Sequence, residues 1–146
     1  MKAFHLSSSS SQDVLILNFY PGELLLETII SYLKENKIKN SCVISGIGTL
    51  KRLSFHRVLT TEEKPKNEYI TLEGPFELSS TQGLIINYEP HLHFVASDLR
   101  NTYSGHLEYN SQVLYLAEFT LLILDSKNHN LVRKLKENNI SFIEEV

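Results

Sequence analysis

Three histidines have the residue type and the spacing of a metal site. His91 and His93 are separated only by Leu92, and His106 follows later in the chain. In a β-strand alternate side chains share a face, so the imidazoles of His91 and His93 would project together, about 6.6 Å apart along the chain. Neutral imidazole is a common zinc ligand, with Zn–N bonds of about 2.0–2.1 Å. The pair therefore predicts two ligands of one divalent cation.

The third ligand follows from the register of a predicted hairpin. If the turn is centred between Leu99 and Arg100, His93 lies directly opposite His106, with Cβ atoms about 4.5–5.5 Å apart. His91, His93 and His106 would then bind zinc or another divalent metal and leave a fourth position open. A register shifted by one residue would instead turn His106 to the opposite face of the sheet.

Other residues around this hairpin have more than one role open to them. Asp98 or Glu89 could accept the second ring N–H of a metal-bound imidazole and fix its orientation. Gly105 would ease the approach of a ligand or of another backbone. His56 either joins the site or is an ordinary polar residue at a strand edge, and the latter is the simpler interpretation. The remaining histidines, His5 and His129, are interpreted as surface residues.

Predicted strands surround these histidines in the sequence. Apolar residues recur at three- and four-residue spacing from Glu23 to about Lys37, which predicts an amphipathic helix, and a second helix is predicted at roughly Asn128–Asn138. Gly74 and Pro75 predict a turn. The strand candidates are Val14–Phe19, Ser41–Leu53, Ser54–Leu59, Glu68–Leu72, Phe76–Leu78, Leu84–Tyr88, His91–Ser97, Tyr103–Glu108, Val113–Leu124 and Ile140–Ile143. Because strands follow strands directly, we expect an α+β fold, a mainly antiparallel β-sheet with flanking helices in a single domain.

Length and composition bound the class of protein. The 146 residues are 42% hydrophobic and 21% charged, which is typical of one folded domain and excludes disorder, collagen and a coiled coil. Five consecutive serines, Ser7–Ser11, predict a flexible segment over residues 1–12, which leaves residues 13–146 as the domain. No apolar run reaches the roughly 18 residues that span a bilayer, so no membrane partner is expected. The single cysteine, Cys42, and the absence of a secretory stretch predict an intracellular, cytoplasmic protein.

Charge and motifs narrow the functions further. The net charge of −3 argues against autonomous DNA binding, because phosphate contacts normally require a basic excess. A local basic surface could still form from Lys51, Arg52, Arg57 and Arg100, although such residues more often make an ordinary solvated face. The sequence contains no Walker A motif, no nucleophile elbow and no cysteine zinc pair.

Five short motifs occur in a fixed order along the chain. They are Tyr20-Pro21-Gly22-Glu23, Val43-Ile44-Ser45-Gly46-Ile47-Gly48-Thr49-Leu50, Glu73-Gly74-Pro75-Phe76-Glu77-Leu78, His91-Leu92-His93 and Gly105-His106-Leu107. Together they resemble the PPC domain (plants and prokaryotes conserved), also called the domain of unknown function 296. The similarity runs from about Asp13 to Asp125 and is to the stand-alone prokaryotic type.

The resemblance implies a fold, an assembly and a ligand set. It implies an antiparallel sheet with flanking helices, assembled as a homotrimer, in which His91, His93 and His106 bind a metal, zinc above all, near a subunit boundary. Plant members are nuclear proteins that grip A·T-rich DNA through AT-hook segments, and the Arg-Gly-Arg-Pro core of such a segment is absent here. Pro75 stands where the plant interaction motif has arginine, so that partner contact does not carry over.

Two functions fit these observations. The first is a trimeric zinc-binding protein that serves as a candidate DNA-binding or regulatory module, with DNA or another protein as its partner. The second is a metal-dependent enzyme or a small-ligand sensor that uses the open metal position, in which Glu89, Glu108 or Glu118 would act as general base. A structural metal that ties the hairpin or the trimer together is a third interpretation.

Overall fold

The computed structural model describes residues 1–6, 13–124 and 130–146. Within these ranges the chain forms one α-helix and nine β-strands. The elements are β1 (Lys2–Leu6), β2 (Val14–Phe19), α1 (Leu25–Glu35), β3 (Ser41–Val58), β4 (Asn67–Ile86), β5 (Glu89–Ser97), β6 (Thr102–Leu107), β7 (Gln112–Ile123), β8 (Leu131–Leu135) and β9 (Ser141–Glu145). The serine run Ser7–Ser11 and His129 lie outside the described residues.

Strands β1 to β7 form one sheet in the order β1-β2-β7-β3-β4-β5-β6, and every pairing in it is antiparallel. Strand β6 also pairs with β3, with His56 opposite His106, so that β3, β4, β5 and β6 form a closed circuit. Strands β8 and β9 form a separate hairpin. The expected α+β fold with a mainly antiparallel sheet is confirmed, with one helix among the described residues.

The closed circuit surrounds part of the hydrophobic core and leaves the histidines outside it. Phe55 of β3 packs edge-on against Phe94 of β5, with ring centroids 5.3 Å apart. Side chains alternate along a strand, so Leu92 and Phe94 are buried whereas His91 and His93 lie on the outer face. The strand period therefore places the imidazoles on the outer face.

The helix α1 forms because its apolar residues make one continuous stripe. Five of them are buried in the core: Leu25, Leu26, Ile29, Ile30 and Leu33. Glu27 in the first turn and Lys34 in the last turn complement the helix dipole. The helix predicted from Glu23 to about Lys37 is thereby confirmed, with slightly shorter bounds. Among the described residues, no helix has the length and apolarity needed to cross a membrane.

The predicted turn at Gly74 and Pro75 is wrong, because both residues lie inside β4. They face the point where the β3–β4 register shifts between Leu50 and Arg52. A bulge accommodates proline, since its missing N–H interrupts no ladder hydrogen bond there. The chain therefore continues as one long strand where the sequence predicts two short ones.

The second helix predicted at roughly Asn128–Asn138 is also wrong. Residues Leu131–Leu135 instead pair antiparallel with Ser141–Glu145. Asn139 in the connecting turn has φ 62°, a left-handed conformation that asparagine tolerates better than most residues. The turn and the strand pairing therefore stabilise a hairpin more than the helical spacing of the apolar residues stabilises a helix.

Candidate metal centre

The hairpin that carries the predicted ligands has the predicted register. Strand β5 pairs with β6 so that His93 lies opposite His106. Asp98 closes the turn, because its Oδ1 accepts hydrogen bonds from the backbone N–H groups of Arg100 and Asn101, each at 2.7 Å. These bonds lower the pKa of the Asp98 carboxyl. Asp98 therefore fixes the turn rather than the orientation of an imidazole.

Four aromatic side chains form a row across the outer face of the sheet. The cross-strand pairs are His93–His106, His106–His56 and His56–Tyr69, which lead from β5 through β6 and β3 to β4. The imidazoles of His56 and His106 stack with ring centroids 4.4 Å apart. The ring centroids of His93 and His106 are 5.7 Å apart. The closure of β6 onto β3 thus brings His56 beside the histidines of the hairpin.

His91 joins this row from two residues earlier on β5. Its ring centroid lies 4.9 Å from that of His106 and 5.3 Å from that of His93. The Nε2 atoms of His91 and His93 are 3.3 Å apart, a distance at which one ring can donate a hydrogen bond to the other when no ion is bound. Two ligands of a tetrahedral zinc with bonds of about 2.0–2.1 Å are separated by roughly 3.3–3.4 Å. The pair therefore has the spacing of two zinc ligands.

Glu108 lies beside two of the imidazoles. Its Oε1 is 2.5 Å from Nδ1 of His56 and 3.3 Å from Nδ1 of His106. The ligand atoms of His56, His106 and Glu108 all lie within 4.8 Å of one another, so these residues form a second potential ligand set that shares His106. The backbone N–H of Glu108 donates to the carbonyl oxygen of Ser54 at 2.9 Å, which fixes the backbone that carries the carboxylate.

Gly105 allows β6 to approach β3 this closely. A Cβ atom at this position would lie 2.5 Å from the carbonyl oxygen of His56, well inside van der Waals contact. A side chain at position 105 would therefore push the two strands apart and separate His106 from His56. The prediction that Gly105 permits a close backbone approach is confirmed.

The surroundings of His91 and His106 favour the neutral imidazole, the form that binds metals. Burial, and then the charges that His56, His91 and His93 carry when protonated, lower the pKa of His106 to about 4. Burial, followed by the positive charge of Arg133, lowers the pKa of His91. At neutral pH the rings of His91 and His106 are therefore uncharged, and each has a nitrogen lone pair available.

A buried nitrogen of the cluster has no hydrogen-bond partner. Nδ1 of His106 is removed from solvent, and it lies near Glu108 without hydrogen-bonding geometry to it or to any other described group. An unsatisfied buried polar atom costs about 1–3 kcal/mol, and a reoriented ring could donate from Nδ1 to Glu108, 3.3 Å away, which leaves Nε2 of His106 for an ion. Imidazole nitrogens beside a carboxylate are a donor set that zinc and similar divalent ions accept. The residues present therefore fit a divalent metal.

The cluster opens into a cleft of about 1190 Å³. The histidine face of β3, β5 and β6 lines it together with Glu89, and the β8–β9 hairpin contributes Arg133 and residues 138–141. This volume exceeds what a hydrated ion needs, and it is larger than the roughly 300–1,000 Å³ of a typical small-molecule site, so a small ligand has room in it. The arrangement can hold a metal and a ligand beside it.

The match to a family model identifies the family of this chain. A model of the Plants and Prokaryotes Conserved (PCC) domain matches residues 6–125, most of the sequence. The chain belongs to the Plants and Prokaryotes Conserved domain family. The resemblance drawn from the five motifs is thereby confirmed. A comparison with curated proteins finds no significant match.

Solved structures share the architecture of this PCC domain. A plant- and prokaryote-conserved protein from Pyrococcus horikoshii has a TM-score of 0.74 and 26% identity, over 91% of this chain and 92% of that one. The metal-containing protein from Archaeoglobus fulgidus has a TM-score of 0.71 and 22% identity, over 88% and 90%. A Bacteroides thetaiotaomicron protein described provisionally as DNA-binding has a TM-score of 0.74 and 15% identity, over 97% and 96%. Identities this low indicate a shared fold.

The sequence of this PCC domain leaves the place of His56 open and indicates Glu108 only as a candidate general base. Of the two interpretations that the sequence leaves open for His56, a site residue or a polar residue at a strand edge, the simpler strand-edge interpretation is wrong, because His56 lies in the middle of the aromatic row. The pairing of β3 with β6 joins segments that are far apart in the chain, so no local sequence pattern predicts this pairing. The sequence holds a signal for each residue: Gly105, a glycine beside a candidate ligand, marks a close approach of another strand, and Glu108 follows His106 at the spacing of side chains that share a strand face.

Proposed function

We propose that this PCC domain binds a divalent metal, zinc above all, through His91, His93 and His106, and acts as a ligand-responsive regulatory module. The observation that carries the proposal is the clustering of these imidazoles on one face of the sheet, with the Nε2 atoms of His91 and His93 3.3 Å apart. The Archaeoglobus fulgidus neighbour, described as metal-containing, supports it. The fourth metal position would face the cleft and accept a small ligand.

Glu108 has a positioning role in this proposal. A metal-bound imidazole commonly directs its other ring nitrogen at a carboxylate, and Glu108 lies 3.3 Å from Nδ1 of His106, which leaves Nε2 of His106 for the metal. The same carboxylate oxygen lies 2.5 Å from His56, which favours this role over that of a general base. A bound zinc would supply Lewis acidity at the open position, so a metal-dependent enzyme is the alternative.

Metal content of four variants distinguishes the two overlapping ligand sets. Each protein is saturated with zinc, desalted and analysed by plasma mass spectrometry, and its folding is checked by circular dichroism. We expect a single zinc per wild-type chain, loss of zinc in His91→Ala and in His93→Ala, and retention in His56→Ala. Gln82→Ala is the matched control, because Gln82 lies opposite His93 on the neighbouring strand β4.

Two outcomes would change this assignment. Loss of zinc in His56→Ala with retention in His91→Ala would move the site to the set formed by His56, His106 and Glu108. Full zinc content in both the His91 and the His93 variants would refute the three-histidine site.

DNA binding is a second candidate, since the Bacteroides thetaiotaomicron neighbour is described provisionally as DNA-binding. Two of the four basic residues considered for a DNA surface are paired with carboxylates, because Arg52 lies 3.6 Å from Glu73 and Arg57 lies 2.8 Å from Glu68. The net charge of −3 also opposes it. Gel-shift assays at several salt concentrations test this candidate, and the absence of salt-sensitive retardation would remove it.

We also propose that the domain is a homotrimer, as the family resemblance implies, and that it is cytoplasmic, as its single cysteine, Cys42, predicts. Apolar side chains lie exposed on the neighbouring strands β3 and β7: Ile44, Ile47, Tyr115 and Leu116. Exposed apolar side chains on neighbouring strands are typical of surfaces that associate. They offer a contact surface for a second copy of the chain.

A further inference from the structure

Arg133 is a partly buried cation in the same cleft as the histidines. It lies on β8 and lines the cleft together with His91, His93 and His106. Its Nε is buried and has no hydrogen-bond partner among the residues that the structure describes. Burial lowers the pKa of Arg133, against the opposing charge of Glu89. The guanidinium is therefore partly withdrawn from water with a donor left unsatisfied.

The charge around the cleft becomes positive once a metal is bound. Arg133 and a divalent ion would supply three positive charges, whereas the nearby carboxylates of Glu89 and Glu108 supply two negative ones. Arg57 also lines the cleft, but its charge is paired with Glu68 at 2.8 Å. An anionic ligand would restore electroneutrality and satisfy the buried Nε of Arg133.

We propose that the cleft binds a small oxyanion, a carboxylate- or phosphate-bearing metabolite, between Arg133 and the metal. This inference rests on the proposed metal site. A guanidinium presents a planar pair of N–H donors that matches two oxygens of a carboxylate or phosphate. The same anion can place an oxygen at the open metal position, so the two cations would share one ligand. Asn138, Asn139 and Ser141 line the cleft and can receive the polar remainder of the metabolite.

Cobalt(II) tests the proposal on the full-length chain, because its visible absorption spectrum changes when a ligand enters its coordination sphere. Malonate and inorganic phosphate are the anionic probes, and malonamide is the neutral control. We expect a saturable spectral change with at least one anion and none with malonamide. A response to malonate alone assigns a carboxylate ligand, and a response to phosphate alone assigns a phosphate ligand.

Two substitutions on β8 test whether Arg133 contacts the anion. Arg133→Gln should lower the affinity for the anion by about ten- to a hundredfold, the loss expected for one charge-assisted hydrogen bond. Lys134→Gln is the matched control, since Lys134 is the next residue on the same strand and lies 3.2 Å from Glu144 instead. It should change the affinity by less than about twofold. Both variants should retain the wild-type cobalt content.

The outcomes separate this inference from the proposed function. A wild-type protein that binds cobalt but responds to neither anion overturns the inference and leaves the metal site standing. Equal anion affinity in wild type and Arg133→Gln also overturns it, because the anion would then bind the metal without Arg133. A chain that binds no cobalt refutes the metal site and the inference together.

Discussion

At the scale of single residues, His106 is the central residue of the cluster, because it belongs to both potential ligand sets. It stacks on His56, lies opposite His93 and contacts His91 through rings 4.9 Å apart. The imidazole of His106 is half-buried. A proton on His56, His91 or His93 makes the protonation of His106 less favourable. This crowding keeps the ring neutral, which suits a metal ligand and makes the metal-free protein sensitive to acid.

We predict that the metal-free protein loses thermal stability as the pH falls from 6.5 towards about 4. The pKa of His106 is about 4 in the folded chain and near its ordinary value of 6.5 in the unfolded chain. Between these values only the unfolded chain gains the proton, so protonation favours unfolding. The pKa of His91 is lowered too and acts in the same direction.

Circular dichroism melting curves in the presence of EDTA measure this dependence. His106→Gln should show a shallower decline of the melting temperature over the same pH range, because it has no imidazole at this position to protonate. A decline as steep as that of the wild type would contradict the prediction.

At the scale of secondary-structure elements, the pairing of β6 with β3 brings the histidines of the cluster together. Only two residue pairs join these strands, Phe55 with Leu107 and His56 with His106. Gly105 lies next to this short ladder and lets the backbones meet. The cluster therefore depends on a backbone contact as much as on its histidine side chains.

Gly105→Ala should destabilise the protein by about 1–3 kcal/mol and weaken zinc binding, since the added Cβ would displace the backbone of His56. Gly74→Ala is the matched control. The two glycines have nearly equal φ angles of 156° and 153°, but a Cβ at Gly74 meets only the Phe76 ring, at 3.6 Å. Urea unfolding and zinc titration measure both effects. Equal losses of stability and of zinc affinity in both variants would show that backbone conformation, rather than strand contact, determines the result.

At the scale of the whole molecule, the exposed apolar side chains of β3 and β7 are the contact surface that the proposed trimer would use. Ile47 is 47% exposed and Tyr115 is 61% exposed, although both lie on strands inside the sheet. A cyclic trimer would cover such a surface by a closed, head-to-tail contact.

Ile47→Asp should convert the proposed trimer to monomer, because it would bury an unpaired charge in the interface. Size-exclusion chromatography with light scattering measures the mass of each assembly. Leu99→Asp is the control, since Leu99 is fully exposed in the β5–β6 turn. A wild-type protein that stays monomeric at high concentration would refute the trimer, and an unchanged mass for Ile47→Asp would move the interface elsewhere.

Local patterns predict much of this fold correctly, and the failures have a common cause. The apolar stripe of α1 and the strand period of β5 are local properties, so the helix and the outward direction of His91 and His93 could be predicted. The turn at Gly74 and the helix near Leu131 are wrong because strand pairing overrides the local preference at both places. Turn and helix signals of a few residues have small free energies compared with a hydrogen-bonded ladder.

The amino-acid sequence by itself predicted the hairpin register once the turn was centred between Leu99 and Arg100, because residues on either side of a short turn pair according to their distance from it. His93 and His106 could therefore be paired by number alone. Only the tertiary structure decided that His56 and Arg133 lie beside them, since β3, β8 and the hairpin meet through contacts between distant segments. Such contacts depend on the packing of the whole chain around one core, and no local sequence pattern specifies them.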